Sequence, residues 1–132
     1  MDRDSQLIYE TYNDSTSNSY ADGFTGVKTD HYDGKHWYVN GLRHRDGSPA
    51  LIHSDGETEW YQHGKLSRED GPAVEWPGND QMEPMWYFDD KLYRTPELWA
   101  AAILSRYHKP YDTEAVNAYL RPILQKQTKD LI

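Results

Sequence analysis

There is no cysteine among the 132 residues, so no disulfide staples this chain, which fits a reducing compartment. No apolar run approaches the roughly 20 residues of a membrane-spanning helix. The opening Met1-Asp2-Arg3-Asp4-Ser5 lacks the basic start and apolar stretch of a secretory signal. These absences lead us to expect a cytoplasmic protein with no membrane association. Aliphatic residues are sparse and the mean hydropathy is −1.00. In their place stand 5 Trp and 11 Tyr against 2 Phe, so the expected core is thin and wet at its edges, built from rings that keep a polar handle. A glycine-rich phosphate loop and a nucleophile elbow are both missing. No catalytic residue is nominated, and an enzyme is not expected.

Charge is unevenly placed. Residues 1–29 carry 5 acids and 2 bases, residues 30–94 carry 13 and 7, and residues 95–132 carry 4 and 5. The middle segment therefore holds a balance of −6 within a total of −8. An acidic surface repels phosphate backbones, so direct nucleic-acid binding is disfavoured and a protein partner is the better expectation.

That middle segment is a repeat. Trp37-Tyr38-Val39-Asn40-Gly41-Leu42-Arg43-His44-Arg45 is followed by Asp46-Gly47-Ser48-Pro49-Ala50, and Trp60-Tyr61-Gln62-His63-Gly64-Lys65-Leu66-Ser67-Arg68 by Glu69-Asp70-Gly71-Pro72-Ala73. Matching Trp, Arg and Pro residues are offset by 23, and a decayed third copy runs from Trp86-Tyr87 to Arg94. A fixed period means one supersecondary unit reused, more often a scaffold or binding surface than a catalytic pocket. Asn40-Gly41 is a strong signal for a type I′ hairpin turn, which needs two residues at positive φ. His63-Gly64 and Asp89-Asp90 occupy the equivalent places. Asp55-Gly56 and Pro77-Gly78 mark return turns. Pro49–Ile52 and Pro72–Trp76 supply linking strands, each starting on a Pro where a strand tolerates it.

A two-residue turn sets the pairing: Val39 opposite Leu42, Tyr38 opposite Arg43, Trp37 opposite His44, His36 opposite Arg45. Alternation places Trp37 and Trp60 on one face, Tyr38 and Tyr61 on the other, and the pattern leaves open which face is the core. Before the repeats, 1–29 form a polar segment with a low-complexity loop at Asp14–Ser19 and a strand around Leu7–Tyr12. After them, 95–132 form a helical cap. Thr95-Pro96-Glu97 starts one helix with N-cap, N1 proline and first-turn acid. Asp112 or Thr113 starts another, in which Pro122 is expected to force a kink or restart. The fold class expected is thus α+β, an antiparallel hairpin-repeat sheet over 30–94 closed by two helices.

In its Trp-Tyr-Val-Asn-Gly turn the unit resembles the MORN repeat family with one residue inserted, and residues 37–50 and 60–73 look closer still to a MORN-like pattern W-Y-x-N-G-x-x-H-R-x-D-G-P-A of bacterial and bacteriophage proteins. The resemblance covers about half the chain, with a remnant at 86–94. It implies a hairpin-repeat fold and a prokaryotic or viral setting, and no activity.

Candidate sites follow from this frame. The acidic, aromatic repeat nominates Tyr38, Glu57, Glu59, Trp60, Tyr61 and Trp76 for contact with a partner, expected to be a host protein that the chain binds and modulates. Arg45, Arg68 and Arg94 recur eight residues after each Trp. As an alternative they nominate a small-molecule site, a sponge for a nucleotide signal held between Arg and aromatic rings. The plainer role for these arginines is to staple each hairpin. Six histidines, at 31, 36, 44, 53, 63 and 108, show no ligand spacing with a supporting Cys or carboxylate pattern, so no metal and no cofactor is expected. Asp46, Asp55 and Asp70 sit beside glycine and read as turn formers. The pattern leaves homo-oligomerisation open.

Overall fold

All three turns adopt the conformation their residues demand. Asn40 and Gly41 have φ of 50° and 81°, His63 and Gly64 51° and 82°, Asp89 and Asp90 56° and 70°. Both central residues lie in the left-handed region in every copy, which is the signature of a type I′ turn. The third copy keeps it without glycine because a short polar Asp tolerates this region.

The computed structural model describes residues 8–12 and 23–130. The expected loop at Asp14–Ser19 lies outside them. Strands follow in order as β1 (Ile8–Tyr12), β2 (Gly26–Asp30), β3 (Lys35–Val39), β4 (Leu42–Arg43), β5 (Leu51–Ile52), β6 (Thr58–Glu59), β7 (Tyr61–Gln62), β8 (Lys65–Leu66), β9 (Val74–Glu75), β10 (Trp86–Phe88) and β11 (Lys91–Tyr93). Two helices close the chain, α1 (Pro96–Arg106) and α2 (Thr113–Asp130). The fold is α+β. The main sheet has the order β1-β2-β3-β5-β6-β9 with β4 paired to β3; β7–β8 and β10–β11 form separate two-stranded hairpins. All pairings are antiparallel except β1 with β2, which is parallel.

Val39 does pair with Leu42 and Tyr38 with Arg43. The His44 N–H donates to the Trp37 carbonyl (3.0 Å), continuing that register. His36 departs from it: it lies opposite Leu51, not Arg45. Each Trp is thus the point where a long strand leaves its hairpin and joins a linking strand. The Trp37 N–H donates to Ala50 (2.8 Å), and the Trp60 N–H to Ala73 (2.7 Å). β3 runs unbroken through Trp37, whereas β6 and β7 are split at Trp60 and the later hairpins stand apart from the main ladder.

Successive hairpins dock by one rule. The two turn N–H groups of each copy point away from their own hairpin and are accepted by the second strand of the copy before. Asn40 and Gly41 donate to Thr25 Oγ1 (2.9 Å) and the Phe24 carbonyl (2.8 Å). His63 and Gly64 donate to His44 Nδ1 (2.9 Å) and the Arg43 carbonyl (2.8 Å). Asp89 and Asp90 donate to Ser67 Oγ (3.0 Å) and the Leu66 carbonyl (2.8 Å). Phe24-Thr25 therefore stand in for a preceding copy. Thr, His and Ser are interchangeable at this position because each offers a side-chain acceptor.

The face question resolves copy by copy. The first copy buries both Trp37 and Tyr38; the second buries Tyr61 and half-buries Trp60; the third buries Trp86 and half-buries Tyr87. Two cores result. One gathers Val27, Trp37, Ala50, Leu51 and Tyr61, and the other joins Trp86 and Phe88 to Trp99, Ile103, Leu104, Val116 and Leu120 of the helices. Thr95 caps α1, accepting from the Leu98 N–H at 3.2 Å, and Asp112 accepts from Ala115 at 2.9 Å before α2. The expected restart at Pro122 does not occur. The helix runs through it, and the proline is exposed, so the backbone bond it forfeits lies on the solvent side.

Candidate functional site

The arginine ladder is occupied by the fold. Arg45 lies over Trp37 with its guanidinium 4.0 Å from the ring centroid, and Arg68 over Trp60 at 3.8 Å. Each then donates to the carbonyl of its own copy's proline, Arg45 to Pro49 (3.3 Å) and Arg68 to Pro72 (3.0 Å). Arg68 also pairs with Asp70 (2.7 Å) and Glu75 (2.6 Å). Arg94 is exposed, and in the third copy Trp86 packs edge-to-face on Trp99 (4.8 Å) where the other copies use arginine. Gly71 abuts the staple: a Cβ there would sit 2.7 Å from Arg68 Cζ. Gly71→Ala is therefore expected to dislodge a guanidinium held by four partners and cost about 1–3 kcal/mol, the range for overpacking. A urea midpoint equal to wild type would show that Arg68 gives way freely. Ser48 fills the matching place in the first copy, where the Arg45 bond to proline is the longer one.

Two polar clusters line the face opposite Trp37. In the first, Asp30 closes its own turn by accepting from Tyr32 (2.9 Å) and Gly34 (2.8 Å), and its other oxygen meets His36 Nε2 at 2.8 Å. Arg43 reaches His36 Nδ1 (2.8 Å) and the Tyr38 hydroxyl (3.3 Å). All four side chains are buried. Arginine only donates, so Nδ1 must accept and Nε2 must carry the proton given to Asp30. Burial, joined by the Arg43 charge, holds the His36 imidazole below its ordinary value. Burial pushes the Asp30 carboxyl upward, but hydrogen bonds from His36, Gly34 and Tyr32 outweigh it and hold it below the usual carboxylate range.

In the second cluster the return turn at Asp55-Gly56 brings His53 and Glu57 face to face: the His53 N–H donates to the Glu57 carbonyl at 2.8 Å. Glu59 follows two residues along, on the same side of the strand. His53 Nε2 lies 3.2 Å from Glu59 Oε2 and 4.0 Å from Glu57 Oε2. The Tyr61 hydroxyl donates to Glu59 Oε1 at 2.6 Å. Burial, then the neighbouring Glu59, pushes the Glu57 carboxyl up to about 7. Glu59 is driven up by burial but held low overall by hydrogen bonds from Glu57, Tyr61 and His53. The sequence reading nominated these two acids for partner contact and found no carboxylate pattern to go with the histidine. The available signal was the spacing His53-x-x-x-Glu57-x-Glu59 across a tight turn.

Of the residues nominated for partner contact, Tyr38 and Tyr61 are buried and present no side-chain surface. Trp60 lies half-buried under Arg68. Trp76 is different. It lines a cavity of about 400 Å3 between the loop 76–84 and α2. Pro77, Met82 and Pro84 supply the rest of its apolar wall, and Gln127 approaches from the helix. Glu75, Asp80 and Glu83 rim it, and residues 75–84 contain no Lys or Arg. Met82, part of this wall, is 43% exposed. Sequence reasoning singled out Trp76 but missed Met82, Pro84 and Asp80, because the loop has no period to read.

The chain matches no protein-family model, no curated protein and no solved structure. Among the described residues no helix is long and apolar enough to cross a membrane.

Proposed function

We propose that this chain is a non-catalytic protein-binding module, a small acidic factor that binds and modulates a host protein. The acid-rimmed apolar groove of Trp76, Met82 and Pro84 is the observation that carries this reading. An aromatic anchor in a pocket, ringed by polar groups that exclude water, is how protein interfaces concentrate their energy. Glu75 is paired with Arg68, but Asp80 and Glu83, with no base in the loop, favour a basic segment on the partner and accelerate its encounter at low salt. The repeat hairpins serve as the frame that holds the loop. Arg45 and Arg68 are engaged within their own hairpins, which favours the groove over the arginine ladder as the binding surface.

The test compares wild type with a Trp76→Ala/Asp80→Lys/Glu83→Lys variant as immobilised bait for bacterial lysate, with retained proteins identified by mass spectrometry. The substitutions lie on an exposed loop, and circular dichroism checks that the fold is kept. The expected result is a protein held by wild type, associating more slowly as salt rises, and lost from the variant. Trp76→Ala alone should cost about 2 kcal/mol of binding, the threshold of an interface hot spot. Equal retention by both baits would move the interface elsewhere. Capture only of a small nucleotide, abolished by Arg68→Ala, would replace this reading with the sponge.

A further inference from the structure

We propose that His53, Glu57 and Glu59 form a Zn2+ site. The ligand atoms, one ring nitrogen and one oxygen from each carboxylate, all lie within 4.8 Å of one another. A tetrahedral zinc with bonds of about 2.0–2.2 Å sets its ligands about 3.4 Å apart. The His53–Glu59 separation of 3.2 Å already meets that spacing, and the 4.0 Å to Glu57 needs only a small side-chain rotation.

The backbone fixes this set before any ion arrives. Gly56, at φ 98°, turns the chain so that its N–H donates to the His53 carbonyl (3.0 Å), and the Glu57 N–H is held by Asp55 Oδ1 (2.9 Å). Strand β6 then carries Glu59 to the same side as Glu57. From behind, the Tyr61 hydroxyl holds Glu59 Oε1 and leaves Oε2 toward His53. A carboxylate oriented through its far oxygen is the outer-shell arrangement that metal sites use. Nor are the three side chains a solvated acidic patch: their exposures are 29%, 23% and 15%. Two carboxylate oxygens and an imidazole nitrogen make up a donor set that zinc takes. A nitrogen in the set selects zinc over calcium and magnesium, which take oxygen shells. Three protein ligands leave a fourth position to water.

Isothermal titration of the untagged full chain with Zn2+ alone tests this. We expect saturable binding of one ion per chain and a rise in melting temperature with added Zn2+. Removal of a ligand should weaken binding beyond the roughly 10–100-fold that loss of an outer-shell partner costs, and Tyr61→Phe should fall within that range while keeping its ring packed. Glu57→Gln is the decisive ligand variant, because the turn is held by backbone bonds and the amide ends the contact between two carboxyls. It should melt no lower than wild type without zinc, yet gain nothing from zinc. Absence of saturable binding, equal binding of Ca2+, or Zn2+ affinity untouched by both His53→Ala and Glu57→Gln would overturn the site. None of these outcomes bears on the groove at Trp76.

Discussion

Trp99→Ala is expected to lower stability by about 3–5 kcal/mol, the range for deleting a buried tryptophan. Trp99 is fully buried and joins the helices to the repeats. Its ring stands edge-to-face on Trp86 (4.8 Å) and Tyr119 (5.9 Å). Its N–H donates to the carbonyls of Arg68 (3.0 Å) and Tyr87 (3.2 Å). Those carbonyls belong to the second and third copies, so one side chain on α1 closes the end of the stack. Repeat arrays need such a cap, since the last unit has no neighbour to bury its face. Trp99→Phe keeps an aromatic ring but gives up the donor and part of the buried ring system, so it should cost about 1–3 kcal/mol, less than the alanine. Urea unfolding measures both. A Trp99→Ala midpoint close to wild type would mean that the helices dock without the indole.

What the sequence disclosed was local. A type I′ turn is written in two residues, a helix N-terminus in three or four, and both were readable at Asn40-Gly41 and Thr95-Pro96-Glu97. The 23-residue offset gave the hairpins and the recurrence of Arg beside Trp. What stayed hidden depends on contacts between copies. The pairing of His36 with Leu51 follows from the strand changing partner at Trp37, which no alternation pattern reports. Tyr61 and Trp86 are buried on opposite faces of equivalent hairpins because helices cover only the last one. The cluster at His53 was within reach, since the Asp55-Gly56 turn was read, but its consequence for the residues flanking the turn needs the register. The groove at Trp76 needs α2 packed behind a loop of no pattern. Arg43 was aligned with Leu66 and Leu92 and gave no sign that it would be buried.

Burial of that arginine leads to the second large effect. Arg43→Met should cost about 3 kcal/mol at neutral pH, the low end for removing one partner of a buried ionic group. The low end applies because Asp30 keeps its bonds from Tyr32, Gly34 and His36. The pH dependence separates this from a simple packing loss. In wild type, His36 has a lowered pKa, so as pH falls below about 6.5 the unfolded chain takes up a proton that the folded chain refuses, and stability falls. Asp30, also depressed, adds a loss that begins only as pH drops below the ordinary carboxylate value. Both terms make the protein acid-sensitive. Without the guanidinium, His36 Nδ1 is free to take a proton, and the Asp30 carboxylate 2.8 Å from Nε2 favours the imidazolium. Burial still holds the imidazole down, but without the Arg43 charge the histidine pKa in Arg43→Met should rise, and stability should fall less between pH 7 and 5.5 than in wild type. Histidine ring NMR reads the pKa and the tautomer, and urea unfolding at the two pH values reads the slope. A variant with the wild-type pH slope and an unshifted His36 would show that Arg43 contributes only by filling space against Tyr38 and Tyr61.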